Sequence, residues 1–186
     1  MRTGFFAIFL ALAVLFAGQT AQAQKRLTLE VPVAFNFSGA ISGGADSVSG
    51  YTVGWAFSQN FGIDYSTITA EASDPASGLN PSVSYTFVDL FAQWMGWGWD
   101  WQVGYGMGSV AVDPFTDFLA NNYTVDDGDA TRFFVSVGWP ASKSWTFNVG
   151  YHLISAESPN LYQNAVPQGV WDLSGSAWTL GAQWLY

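Results

Sequence analysis

Between positions 145 and 153 the chain alternates without a break. Trp145, Phe147, Val149, Tyr151 and Leu153 are large and apolar, and Thr146, Asn148, Gly150 and His152 stand between them. A period of two marks a β-strand with two unlike faces. The same alternation recurs along the chain and helical spacing does not, so the sequence reads as all-β. Eight segments carry it: residues 27–37, 51–57, 61–65, 82–94, 99–107, 133–139, 145–153 and 176–186. In the first, Leu27, Leu29, Val31, Val33, Phe35 and Phe37 are expected on one face.

Two places break the rule. In the fourth segment Val83, Tyr85 and Phe87 share one parity while Leu90, Ala92 and Trp94 share the other. A bulge near Phe87 and Val88 is expected to turn both groups to the same side, which leaves Asp89 inward. Pro32 is the second, because it has no N–H to give to a ladder.

The small-residue face decides the solvent. It carries Gly54, Gly62, Gly104, Gly106, Gly108, Gly138, Gly150 and Gly181, with serine, threonine and amides. A soluble sheet would show lysine and glutamate there, yet charged residues are 10% of the chain and aromatic ones 18%. A soluble surface usually carries at least about a quarter charged residues. Small, weakly polar side chains are what a narrow barrel interior admits. The aromatic face then points outward, where only lipid accepts it. Trp101, Val135 and Phe147 are diagnostic positions for that facing.

Connections alternate short ("QN", "MGWG", "PASK") and long (39–47, 72–81, 109–129, 155–174). This is the plan of an outer-membrane barrel with periplasmic turns and outer loops, and it puts both ends of the chain in the periplasm. The aromatics sort into two belts. Phe57, Phe61, Trp94, Trp99, Trp139, Trp145, Trp184 and Tyr186 lie by the short turns or the chain end; Tyr51, Tyr85, Tyr105, Phe133, Tyr151 and Trp178 lie near the long loops.

The opening residues agree with export. Arg2, an apolar run of 12 residues from Phe5 to Phe16, and the small ending Ala21-Gln22-Ala23 form a secretory signal peptide at 1–23, with cleavage after Ala23. The run is shorter than the ~17 to 25 residues of a membrane helix. Cleavage leaves 163 of the 186 residues, one barrel domain at 24–186. With no cysteine there are no disulfides. The processed chain keeps Lys25, Arg26, Arg132 and Lys143 against 14 acids, a net charge of −10, which argues against nucleic-acid partners.

The signal peptide, the eight alternating segments, the loop alternation and the ending "WTLGAQWLY" together resemble the small eight-stranded outer-membrane barrels, the family of the OmpA membrane domain, OmpX and OmpW. The resemblance implies an antiparallel up-and-down transmembrane barrel that is a monomer without cofactor, in contact with outer-membrane lipids and the barrel assembly machinery. In that family an aromatic last residue with apolar residues at alternate positions before it is read by that machinery. Tyr186 and Trp184 fill these places, although phenylalanine is the commoner terminal residue.

The candidate site is the lumen. Glu30, Asp64, Asp100, Arg132 and His152 point inward by parity, joined by Asp89 if the bulge holds. Pairing strands six and seven through "PASK" sets Trp139 opposite Trp145 and Arg132 opposite His152, near the outer mouth, where both are expected to share an acid such as Glu157. A polar plug is favoured over a gate or binding site. The consecutive glycines Gly104, Gly106 and Gly108 leave three readings: a water-filled cavity, an apolar niche, or a bent strand. The acids Asp113, Asp117, Asp126, Asp127 and Asp129 form a candidate Ca²⁺ or Mg²⁺ loop, though a solvated acidic rim is favoured. His152, Ser155 and Glu157 have the residue types of a serine hydrolase, and some small outer-membrane barrels modify lipid A. His152 and Ser155, however, fall on opposite faces of an extended strand, and the His-x-Ser spacing of the deacylases is missing. The leading expectation is a structural or surface-interaction barrel. A narrow channel for small or apolar solutes is the first alternative and a lipid A-modifying enzyme the second.

Overall fold

The computed structural model describes residues 26–39, 42–72, 80–113, 123–156 and 160–186. The expected leader at 1–23, with its cleavage point, lies outside them, as do Asp117 and Glu157. Among the described residues twelve strands occur in the order β1 (Arg26–Ser38), β2 (Ser42–Gly44), β3 (Ser47–Ala56), β4 (Phe61–Glu71), β5 (Ser82–Gly96), β6 (Trp99–Asp113), β7 (Tyr123–Val125), β8 (Gly128–Pro140), β9 (Trp145–Ala156), β10 (Asn160–Gln163), β11 (Val166–Val170) and β12 (Gly175–Leu185).

Eight of these, in the order β12-β9-β8-β6-β5-β4-β3-β1, pair antiparallel, and β12 closes back onto β1. Closure removes every sheet edge in the wall, as a span through hydrocarbon requires. The protein is an all-β, eight-stranded, antiparallel up-and-down barrel. β7, β10 and β11 form a separate small sheet contributed by two of the long loops. Within it the Asp126 carboxylate pushes the Tyr162 hydroxyl above its ordinary pKa.

The alternation holds as a facing rule over most of the wall. Trp55, Tyr65, Tyr105, Phe133, Phe147 and Trp178 are exposed on the outer surface, and Trp101 and Val135 share that parity. The two irregular places differ from expectation. β5 has no bulge: its registers with β4 and β6 run unbroken from end to end. Val83, Tyr85 and Phe87 therefore point into the lumen with Asp89, while Val88, at 53% exposure, faces outward. Tyr85 is correspondingly no belt residue.

The bulge is in β1 instead. The register with β12 shifts between Pro32 and Ala34. Pairing with β3 has ended at Glu30, so Pro32 is flanked by a ladder only on the β12 side, where it stands opposite Thr179 at the edge of the shift. The extra residue flips the parity that follows. Val33 remains outside, but Phe35 and Phe37, expected on the outer stripe, are buried at 2% and 4% exposure.

The β8–β9 hairpin also departs from expectation. The "PASK" turn closes on Trp145, whose carbonyl accepts the Ala141 and Ser142 N–H groups while its own N–H donates to Ser142 Oγ. This moves the register by two residues. Trp139 faces Phe147, Phe134 faces His152, and Arg132 faces Ile154.

Candidate functional site in the lumen

The lumen divides by height. Toward the short turns its lining is polar, from Thr28, Glu30, Thr52, Asp64, Gln93, Asp100, Gln102, Ser136, Thr146, Asn148, Thr179 and Gln183. Toward the long loops it is apolar: Phe35, Phe37, Ile68, Val83, Tyr85 and Phe87 pack with Leu173 from the segment before β12. The Tyr85 hydroxyl donates to the Leu173 carbonyl at 2.6 Å, holding that segment in the outer mouth. The contrast follows from the strands. Positions inward at the turn ends are mostly hydroxyls, amides and carboxylates, with Ala56 and Phe91 among them, and those at the loop ends of β1, β4 and β5 are phenylalanine, isoleucine, valine and tyrosine.

Arg132 stands where the halves meet and is fully buried. Its Nε donates to Asp89 Oδ1 at 2.9 Å and one terminal nitrogen bonds Asp89 Oδ2, the two-point geometry a guanidinium fits. That second nitrogen also reaches Asp64 Oδ1 at 3.3 Å, and the remaining one donates to Ser66 Oγ at 2.8 Å. Phe87 and Phe134 lie 4.9 and 5.4 Å from the guanidinium carbon, supplying ring faces to the cation. Asp64 and Asp89 are direct cross-strand partners on β4 and β5. Without the cation, two carboxylates would share one buried place.

Glu30 and His152 form a second group. Thr179 Oγ1 donates to Glu30 Oε2 at 2.8 Å and lies 3.0 Å from His152 Nε2, so its hydroxyl bridges the two side chains, which are themselves 3.9 Å apart. The His152 ring stacks on Phe134 at 5.3 Å. Asp100 pairs with Arg26 at the short-turn mouth, a partner that alternation does not reveal because Arg26 is the first residue of β1 and lies across the barrel from β6. Gln93 and Gln102 bond each other just inside it at 3.4 Å.

Glu30, Asp64, Asp100, Arg132 and His152 line the lumen where alternation places them, and Asp89 joins them through the unbroken parity of β5 rather than through the expected bulge. The expected Arg132–His152 partnership is corrected: the two-residue register shift separates them, and the acids Arg132 shares are Asp64 and Asp89. Glu157 lies outside the described residues. Ser155 is exposed on the outer surface, with His152 buried on the inner one.

The inward glycines are floor space for these side chains. A Cβ on Gly62 would meet the Phe91 ring at 2.1 Å, one on Gly104 the Phe134 ring at 2.2 Å, and one on Gly106 Asp89 Oδ1 at 1.9 Å. Of the three readings of Gly104, Gly106 and Gly108, neither a water cavity nor an apolar niche fits: at Gly104 and Gly106 the space is taken by side chains, and at Gly108 by the Thr86 carbonyl at 1.7 Å.

The loop acids Asp113, Asp126, Asp127 and Asp129 are exposed. Among the described residues, no three or more histidine, aspartate or glutamate side chains gather as a metal set. At the chain end, Trp184 and Tyr186 are exposed with ring centroids 5.1 Å apart, and Trp184 also stacks with Trp145 at 6.4 Å.

No family profile matches the chain, and no curated protein matches its sequence. Solved structures do match. Neisserial surface protein A shares the fold with a TM-score of 0.60 at 9% identity, over 87% of this chain and 97% of that one. The outer membrane protein AlkL, solved in DMPC bilayers, gives 0.56 at 15% identity, over 91% and 94%. The outer membrane protein OprG from Pseudomonas aeruginosa gives 0.55 at 11% identity, over 88% and 96%. What this chain shares with them at such identities is the fold, that of the small eight-stranded outer-membrane barrels.

Proposed function

We propose that the chain is a monomeric outer-membrane barrel with a closed lumen, exported through cleavage after Ala23, whose rigid wall displays acidic loops at the cell surface. The observation that carries this reading is the filled interior. The glycine floor is occupied by Phe91, Phe134 and Asp89, and Leu173 with Tyr85 stops the outer mouth. An eight-stranded barrel is just wide enough for side chains to fill it. The acidic rim repels anionic lipopolysaccharide unless divalent cations bridge them. Purified protein in planar bilayers is expected to give no resolved conductance steps. Steps of uniform size in the wild-type protein would overturn the closed-lumen reading.

A second reading, a conduit for apolar solutes, is favoured by one observation: the outer half of the lumen is lined by Phe35, Phe37, Ile68 and Tyr85. It requires Leu173 to leave the mouth, so Leu173→Ala should then speed entry of an apolar dye into vesicles carrying the protein. A lipid-modifying hydrolase has less support, since Ser155 and His152 stand on opposite sides of the wall. Replacing both with alanine should leave lipid A composition unchanged.

A further inference from the structure

The β5–β6 hairpin turns on two residues, because Gly96 still pairs with Trp99. Those two, Trp97 and Gly98, both have positive φ, 55° and 80°. This is the backbone of a type I′ turn, which glycine and asparagine enter readily and a bulky aromatic does not. Strain at one residue is a reason to ask what its side chain is for.

The side chain is 93% exposed. Its ring meets Trp101 edge-on, with centroids 6.5 Å apart and planes at 85°. Trp101 lies on the outward parity and donates its indole N–H to the Gly96 carbonyl at 3.3 Å. Trp94 and Trp99, both exposed, pair across this hairpin with Trp101 and Gly96 respectively. From Gln93 to Trp99 there is no charged residue. β5 runs on from its last pair with β4, Ala92 opposite Phe61, to Gly96, so the hairpin projects beyond β4, while on its other side Asp100 is level with Gly138 of β8.

We propose that Trp97 docks the hairpin tip onto phospholipid, its indole lying at the headgroup boundary of the periplasmic leaflet. An indole is apolar over most of its surface and carries one N–H, the combination that settles at a membrane–water interface. The left-handed backbone is tolerated because it aims the ring back along the wall, onto Trp101, rather than into the periplasm. Asparagine at this position would relax the turn and lose the contact. The inference rests on the membrane-spanning reading, and the experiment below separates the two.

The protein labelled with 5-fluorotryptophan gives one ¹⁹F resonance per tryptophan, and Trp97→Phe assigns the relevant one. In phosphatidylcholine vesicles, spin-labelled lipid should broaden Trp97 as strongly as Trp99, and an aqueous gadolinium chelate should leave it sharp. Broadening by the chelate but not by the lipid, while Trp99 and Trp178 respond to lipid, overturns the docking and leaves the barrel reading standing. No response to lipid at any tryptophan overturns both. A shift of the Trp97 resonance on adding soluble peptidoglycan fragments, without a lipid response, assigns the turn to a sugar partner and likewise overturns the proposal. Trp97→Asn should slow assembly into vesicles about threefold while leaving stability in detergent equal or higher; equal slowing in detergent would mark a purely structural role.

Discussion

The Arg132 guanidinium faces two carboxylates at once. Among the described residues its share of the work has no substitute, since Arg26 is engaged with Asp100 and Lys143 sits exposed in a short turn. Breaking a buried ion pair by removing one partner costs about 3–5 kcal/mol, because the survivor keeps its desolvation penalty. Arg132→Met leaves Asp64 and Asp89 opposed across adjacent strands, so a loss of that size is expected in the urea midpoint of vesicle-inserted protein; a loss below about 1 kcal/mol would show that water already solvates the pair. Gly106→Ala tests the same place from below. Its new Cβ meets Asp89 Oδ1, which Arg132 holds in position, so overpacking of about 1–3 kcal/mol is expected. The inward direction of Arg132 and Asp64 was legible from alternation; that of Asp89 was not, because the sequence of β5 changes parity while its register does not. Their partners were not, since contacts across three or four strands follow from the stagger of the closed barrel and, for His152, from two residues of turn register.

β1 and β5 show where alternation stops being informative. The rule of large outside and small inside holds where the outer face meets hydrocarbon and the inner face is a glycine floor. Near the long loops neither condition applies. The lumen there takes Phe35, Phe37, Tyr85 and Phe87, and Ser84 and Thr86 stand on the outer side at half-exposed positions. Large residues are admitted inside because their neighbours are small: Phe87 faces Gly108 across the β5–β6 ladder. A parity change in sequence therefore has two readings, a bulge or a reversal of the rule. β1 uses the first, at a proline that supplies a reason for it, and β5 uses the second. The unbroken β5 register makes Val88 a lipid-facing residue midway along its strand. Val88→Arg is expected to cost about 2–4 kcal/mol in bilayers, the penalty for a cation at the membrane midplane. A cost near zero would mean that Val88 does not lie on the hydrocarbon and would reopen the facing of the whole strand.

Closing the molecule depends on one ladder between the chain's ends, β1 with β12. Every other wall ladder joins successive members of the eight wall strands, so this seam spans the longest separation and carries the largest loop-closure cost. Leu185 is paired with Arg26 in that ladder, while Tyr186 lies beyond it, exposed and held by its ring contact with Trp184. Deleting Tyr186 takes no residue out of the β1–β12 register and removes one aromatic contact of about 0.5–1.5 kcal/mol. Barrels already inserted should lose no more than that in urea. Assembly in cells is a different quantity: if the terminal aromatic is what the assembly machinery reads, deletion should lower the yield of heat-modifiable, membrane-integrated protein far more than the stability loss accounts for, and Tyr186→Phe should restore it. Equal assembly of the deleted and intact chains would end the insertion-signal reading. A yield that falls only in proportion to the measured stability would make Tyr186 an ordinary member of the aromatic belt.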